Sequence, residues 1–167
     1  MKKLIVLIET NFNEMELIYP YYRLLEDYEV HLVGTDQDVA YASAAGLKMK
    51  STHASRDIKA EDYAGLMIPG GFSPDYMRRS PETKALVKAM DEAGKPIAAI
   101  CHGPWLLASS LDLKGRKLTS FMAIKDDIVH AGANWVDEEL VVDKNLFTSR
   151  TPADLPALMK AFTKALK

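Results

Sequence analysis

Short, nearly unbroken apolar runs at Lys3–Ile8, Gly65–Pro69 and Pro96–Ile100 set the frame of the chain. Runs of this length without alternation are the pattern of strands buried on both faces of a parallel sheet. Tyr28–Val33 adds a strand by the alternation of Val30 and Leu32, and Glu139–Asp143 and Leu146–Ser149 flank a turn at Lys144-Asn145. Lys117–Phe121 reads as a further strand. Asp36–Lys50, with weak periodicity and several small residues, reads as a short hairpin. Between the strands, Met15, Ile18, Tyr22 and Leu25 fall at helical spacing and predict a helix from Glu14, with Pro20 expected to distort its first turns. Pro81–Ala93 is a second amphipathic helix, opened by proline and stopped by Gly94. Helices over Trp105–Leu111, Ala123–Ala131 and Pro152–Lys167, the last with Thr151 as N-cap, complete the pattern. Strands alternate with helices and no repeat or linker intervenes, so residues 1–167 predict one α/β domain, a doubly wound sandwich with a mostly parallel central sheet.

Composition narrows the function classes. The net charge is −2 and no basic stripe is present, which argues against a nucleic-acid module. The opening Met-Lys-Lys has the basic start of a signal peptide, but the apolar run that follows ends at acidic Glu9. No stretch approaches the roughly 20 apolar residues of a membrane helix. The one cysteine, Cys101, excludes an internal disulfide and suits a reducing compartment, so a cytoplasmic protein is expected.

In a doubly wound sheet the active crevice lies at the carboxyl ends of the strands. The stretch Ala98-Ala99-Ile100-Cys101-His102-Gly103-Pro104 delivers a cysteine to such an end, followed at once by a Gly-Pro break and a helix. That order is the pattern of a nucleophile elbow, which exposes the side chain and aims backbone N–H groups at a bound oxyanion. A thiol near a helix N-terminus is also expected to ionise more readily. A single cysteine is otherwise more commonly a buried structural residue. Gly70-Gly71 ends its own strand, and the Gly71 and His102 N–H groups are candidates for an oxyanion hole. Glu14 and Glu16 open the first helix. Residues two apart on a helix diverge, so at most one faces the crevice, where a carboxyl beside a thiol would hold its proton more tightly. His102 adjoins Cys101, but neighbouring side chains on a turn diverge, and adjacency alone does not place the imidazole on the thiol. His31, His53 and His130 have no partner at metal-ligand spacing. Trp105, Tyr19, Tyr22 and Phe72 are candidates to wall a pocket, with core or subunit contacts as the alternative.

Six blocks in order carry a family resemblance: Glu14–Pro20, Leu66–Gly71, Ala99–Pro104, Ile124–Asp127, Ala131–Asp137 and Thr148–Asp154. The sequence resembles the PfpI-type intracellular proteases, within the superfamily of the parkinsonism-associated deglycase protein and its class I glutamine amidotransferase-like fold. The resemblance implies a flavodoxin-like sandwich, a reactive Cys101, a carboxyl neighbour at Glu16 and an oxyanion-hole glycine at Gly71. It also implies a homo-oligomer, dimer or hexamer, in which an acidic residue of a neighbouring subunit orients His102; the matching position is Asp75. Three positions depart from the family pattern. Asn13 stands where a glutamate is usual, Phe121 replaces a tyrosine near the thiol, and Asp75 is one methylene shorter than glutamate, a reach about 1 Å less.

Two readings follow from the low-pKa thiol. In the first, Cys101 attacks an activated carbonyl: methylglyoxal, its early adducts on amines and thiols, or a peptide bond. Glu16 handles the proton, the Gly71 and His102 amides hold the oxyanion, and no cofactor is called for. In the second, the protein is a non-enzymatic stress protein whose Cys101 senses oxidants as a sulfinic acid stabilised by Glu16. A holdase-like chaperone has no specific feature in its favour.

Overall fold

The structure is a computed structural model that describes residues 1–167. In chain order its elements are β1 (Lys3–Leu7), α1 (Glu14–Leu25), β2 (Glu29–Gly34), β3 (Ala40–Ala42), β4 (Lys48–Lys50), β5 (His53–Ala54), β6 (Gly65–Ile68), α2 (Ser73–Met77) and α3 (Pro81–Glu92). They continue with β7 (Ile97–Ile100), α4 (Pro104–Ser110), β8 (Lys117–Leu118), α5 (Lys125–His130), β9 (Asn134–Trp135), β10 (Val141–Asp143), β11 (Leu146–Ser149) and α6 (Leu155–Ala165). The central sheet has the order β10-β11-β7-β6-β1-β2-β5. Every pairing in it is parallel except the β10–β11 hairpin.

The pleat sends alternate residues of β1 to opposite faces, and each set joins its own core. Ile5 and Leu7 pack with Leu86, Val87 and Met90 of α3, Leu106 and Leu107 of α4, and Ile128 of α5. Leu4, Val6 and Ile8 pack with Leu17 and Leu24 of α1 and Leu158 and Phe162 of α6. Helices thus cover both sides of the sheet, which is why its strands read as continuous apolar runs rather than alternating ones. No helix is long and apolar enough to cross a membrane.

Several expectations need correction. Helix α1 runs unbroken through Pro20, whose ring is buried. Asn13 caps it, its Oδ1 accepting the Glu16 N–H at 3.2 Å, and the packed face of Leu17, Pro20 and Leu24 holds the helix across the missing proline donor. The expected strand Lys117–Phe121 shrinks to the two residues of β8, paired with β9 in a small separate sheet. Beyond Leu118 the chain turns into the site: Thr119 N–H bonds Thr148 Oγ1 (3.0 Å) and Phe121 N–H bonds the Cys101 carbonyl (2.8 Å). The terminal helix starts later than expected. Pro152–Asp154 forms a 3₁₀ turn, and Thr151 makes no side-chain cap. The expected hairpin at Asp36–Lys50 is β3–β4.

Candidate active site

Strand β7 ends at Ile100, and Cys101 follows in the left-handed region at φ 61°, before α4 begins at Pro104. A non-glycine residue at positive φ is strained by about 1–3 kcal/mol and persists only where its surroundings hold it. Here the Cys101 N–H bonds the Ser149 carbonyl (3.1 Å) and its carbonyl accepts from Phe121, so β11 and the loop after β8 pin the turn. Gly103 beside it has no room for a side chain, since a Cβ would lie 2.9 Å from the Ile68 and Ile100 carbonyl oxygens.

Four groups converge on the sulfur. His102 Nδ1 lies 3.2 Å from Sγ, a direct contact that sequence adjacency did not promise. The backbone N–H groups of His102 and Gly71 both point at the thiol and favour its ionised form. The Glu16 carboxyl lies beside it, fully buried, and each group alters the other's titration. Glu16 Oε1 accepts the Gly70 N–H at 3.1 Å, while Oε2 has no hydrogen-bond partner. Glu14, the other acid of the first turn, faces outward and accepts the Ala45 N–H at 2.6 Å on the hairpin.

The electrostatics correct one expectation outright. The thiol is half-buried, not exposed, and is pushed up to about 12 rather than down. Burial is the main cause and the charge of Glu16 the second. The dipole of the seven-residue α4, which starts three positions on, is too weak to outweigh them. Burial likewise pushes Glu16 up to about 7, against the pull of the Gly70 N–H and the thiol. The two groups titrate as a pair. When the proton rests on Glu16, the negative charge that opposes a thiolate disappears and two N–H groups remain to stabilise it.

Gly70 contributes what its neighbour Gly71 overshadowed in the sequence. A Cβ on Gly70 would lie 2.6 Å from Glu16 Oε1 and 2.8 Å from the Cys101 Cβ, so only glycine lets the carboxyl and the thiol side chain meet. Gly71, at φ 71°, carries the turn itself, bridged to Phe12. The Gly70 carbonyl accepts from Ser73 Oγ (2.8 Å) and the Asn13 N–H (3.3 Å), two supports that sequence reading had not assigned. Gly70→Ala is therefore expected to cost about 1–3 kcal/mol in urea unfolding. It should also move the pH dependence of Cys101 alkylation to lower pH, as the carboxylate is wedged away from the sulfur. An unchanged unfolding midpoint would show that the loop yields instead.

Asp75 lies on α2 and makes no hydrogen bond to His102 within the chain. Its carboxylate bonds Arg79 (2.6 Å) and Arg78 (3.0 Å), which hold it below the usual carboxylate range. Phe121 offers no hydroxyl but stacks on the His102 ring, with centroids 5.2 Å apart. It also lines a cavity of about 470 Å³ with Lys125, Trp135 and Arg150. Trp105 packs against His102 and Phe72 packs against Trp105, whereas Tyr19 and Tyr22 line a separate groove on the outer side of α1. No group of three or more His, Cys, Asp or Glu side chains is disposed to hold a metal ion.

The model of the DJ-1/PfpI family matches residues 2–165. The chain belongs to the DJ-1/PfpI family. It is 40% identical over 166 residues to the deglycase PH1704 of Pyrococcus horikoshii, covering 99% of both chains. Among solved structures it matches a two-domain protein of Anabaena variabilis with DJ-1/ThiJ/PfpI-like and ferritin-like domains, at TM-score 0.97 and 38% identity. That alignment covers 99% of this chain and 48% of the other, so this chain spans about half of that protein. Schizosaccharomyces pombe DJ-1, at 20% identity, TM-score 0.86 and 97% and 90% coverage of the two chains, shares the fold.

Proposed function

We propose that this DJ-1/PfpI protein is a cysteine-dependent enzyme acting on activated carbonyls, in the manner of a deglycase, a glyoxalase or a hydrolase. The observation that carries the reading is the convergence on Cys101 Sγ of the Glu16 carboxyl, His102 Nδ1 and two backbone N–H groups. Cys101 is the nucleophile of an elbow-like turn. As its proton passes to Glu16 or His102, sulfur bonds the carbonyl carbon and the carbonyl π pair moves to oxygen. That oxygen is attached to the carbon on sulfur, within reach of the Gly71 and His102 N–H groups already beside the thiol. The substrates are small carbonyls such as methylglyoxal or their early adducts on amines and thiols, with peptides as the harder case. The protein works as one domain, without a cofactor, in the cytoplasm and as a homo-oligomer. The exposed Met15, Tyr19 and Tyr22 on the outer face of α1 support that assembly. The test is methylglyoxal consumption by purified wild type against Cys101→Ser; equal rates would end the proposal.

A second reading draws on the unpartnered Glu16 Oε2, a carboxyl oxygen free to hydrogen-bond an oxidised sulfur. In it the protein is a stress sensor, and two equivalents of peroxide convert the thiol to a sulfinic acid with release of two waters. Mild peroxide is then expected to add two oxygens to the intact mass at Cys101 and none in Glu16→Leu. An unmodified wild-type thiol would exclude this reading.

A further inference from the structure

Two histidines that the proposed chemistry leaves unused meet at the edge of the central sheet. His31 stands on β2 and His53 on β5, the outermost strand, which is held to β2 by only two register pairs, Val33 with His53 and Gly34 with Ala54. Their rings stack, with centroids 4.0 Å apart and planes 15° from parallel. The two imidazoles differ in what their nitrogens meet. His31 Nε2 lies 2.8 Å from Glu29 Oε1, and its Nδ1 lies 2.8 Å from the Tyr63 hydroxyl. Burial, chiefly, pushes Tyr63 up to about 12, so its hydroxyl keeps its proton and can either donate to Nδ1 or accept from Nδ1–H. A charged His31 ring therefore finds an acceptor for each of its two N–H groups. His53 Nδ1 lies 2.9 Å from Thr52 Oγ1, whose one proton goes to the Leu32 carbonyl (3.1 Å). The threonine oxygen must then accept, so Nδ1 carries the proton of neutral His53 and Nε2 is the nitrogen left to bind another.

We propose that the stacked His31–His53 pair is a proton-operated clasp on the β2–β5 edge, closed while it holds at most one positive charge and opened when both rings are protonated. A proton on His53 Nε2 sets two cations face to face across 4.0 Å. Around the pair, Glu29 of β2 favours a proton on His53 but is already bonded to His31, while Lys3 of β1 opposes it. The amino terminus acts on Glu29, and Asp62 on the Tyr63 hydroxyl. Burial first and His31 second hold His53 below the ordinary 6.5. The opened strand releases the ring to that value. The closed form is thus undisturbed above pH 6.5 and loses ground as pH falls through 6.5 toward the lowered midpoint. Opening is confined to Thr52–Ala54, because Ser51 stays tied to the Asp36 and Val39 carbonyls and Ser55 to Thr83 of α3.

Hydrogen exchange of the Thr52 amide, which donates to the Leu32 carbonyl at 2.7 Å, reads the clasp without recourse to the thiol. Expressed as a protection factor, which removes the intrinsic pH dependence of exchange, it should fall about tenfold in wild type between about pH 7.5 and about pH 5. Protection of Leu66, in the centre of the sheet, should not fall with it. His53→Phe keeps a ring on the stack that takes no proton and should give a flat profile. His53→Gln keeps a donor for Thr52 Oγ1, makes the same prediction and carries the test if phenylalanine distorts the edge. NMR titration of the His53 ring, assigned by its loss in His53→Gln, separates the pair from burial alone. His31→Gln removes the facing charge and should raise the His53 midpoint toward the ordinary value. A midpoint equal in wild type and His31→Gln, a flat Thr52 profile in wild type, or a wild-type profile in both His53 variants overturns the proposal.

Discussion

Cys101→Ser is expected to lower methylglyoxal consumption by about 10³-fold or more, to the level of protein without a nucleophile. Serine keeps the shape of the side chain and the backbone at φ 61°, so the variant should fold with the same Glu16, Gly71 and His102 geometry around it. What it loses is an ionisable, polarisable nucleophile. With burial and Glu16 pushing the thiol up to about 12, the sulfur is expected to react as its proton passes to a neighbouring base rather than as a standing thiolate. A hydroxyl is harder to ionise than a thiol and less nucleophilic, so the same neighbours, arranged around sulfur, activate it far less. The measurement is the initial rate of aldehyde loss against a buffer blank, with circular dichroism to certify the fold. Retained turnover would move the chemistry away from the strand end altogether.

The size of that effect depends on features that were unequally readable from the amino-acid order. Strands β1, β6 and β7 announced themselves as apolar runs because α1 and α6 cover one face and α3, α4 and α5 the other. The same logic missed β5 and β9 and overran β8, two residues each, because β5 pairs at the edge of the large sheet and β8 with β9 in a sheet of their own, choices that tertiary structure makes. Helix α2, five residues behind Gly70-Gly71, is too short to show a period. At the site, the turn after β7 was legible from Cys-His-Gly-Pro, while helix geometry said only that at most one of Glu14 and Glu16 faces the crevice, and the family resemblance pointed to Glu16. The sulfur's environment was not. It is set by a carboxyl on α1, an amide after β6 and rings from two other segments, all distant in sequence, and their burial reverses the shift expected from α4 alone. The space left by Gly70 and the contact from His102 to sulfur likewise belong to tertiary structure, where rotamers and packing choose among options the local sequence leaves open.

Glu16→Gln is expected to make the protein more stable in mildly alkaline solution while stripping it of most turnover. The wild-type carboxyl has no exposure, a partner on Oε1 and none on Oε2, and burial raises it to about 7 from an ordinary 4.5. Below pH 4.5 the group is protonated in the folded and unfolded chain alike and exerts no penalty. Between 4.5 and 7 the unfolded chain ionises while the folded chain holds its proton, so stability falls as pH rises; above 7 the loss is complete. At 1.36 kcal/mol per tenfold, that loss amounts to about 3 kcal/mol. Glutamine can keep the bond from the Gly70 N–H through its oxygen and places an N–H₂ donor beside the sulfur, so the orphaned position is filled without a charge. Urea unfolding should therefore show a gain approaching 3 kcal/mol at about pH 8 that vanishes near pH 4.5. An equal gain at both pH values would assign the effect to packing, and no gain at the higher pH would mean the carboxylate is not penalised there. Removing the charge should also lower the pH midpoint of Cys101 alkylation, yet turnover should drop by about 10²-fold because the amide cannot take the thiol proton. A more ionisable sulfur with less activity separates the two duties of Glu16. Its carboxylate opposes a bare thiolate, and under the proposed function its protonated form is what the reacting sulfur needs beside it, which would give the unstable buried acid its use.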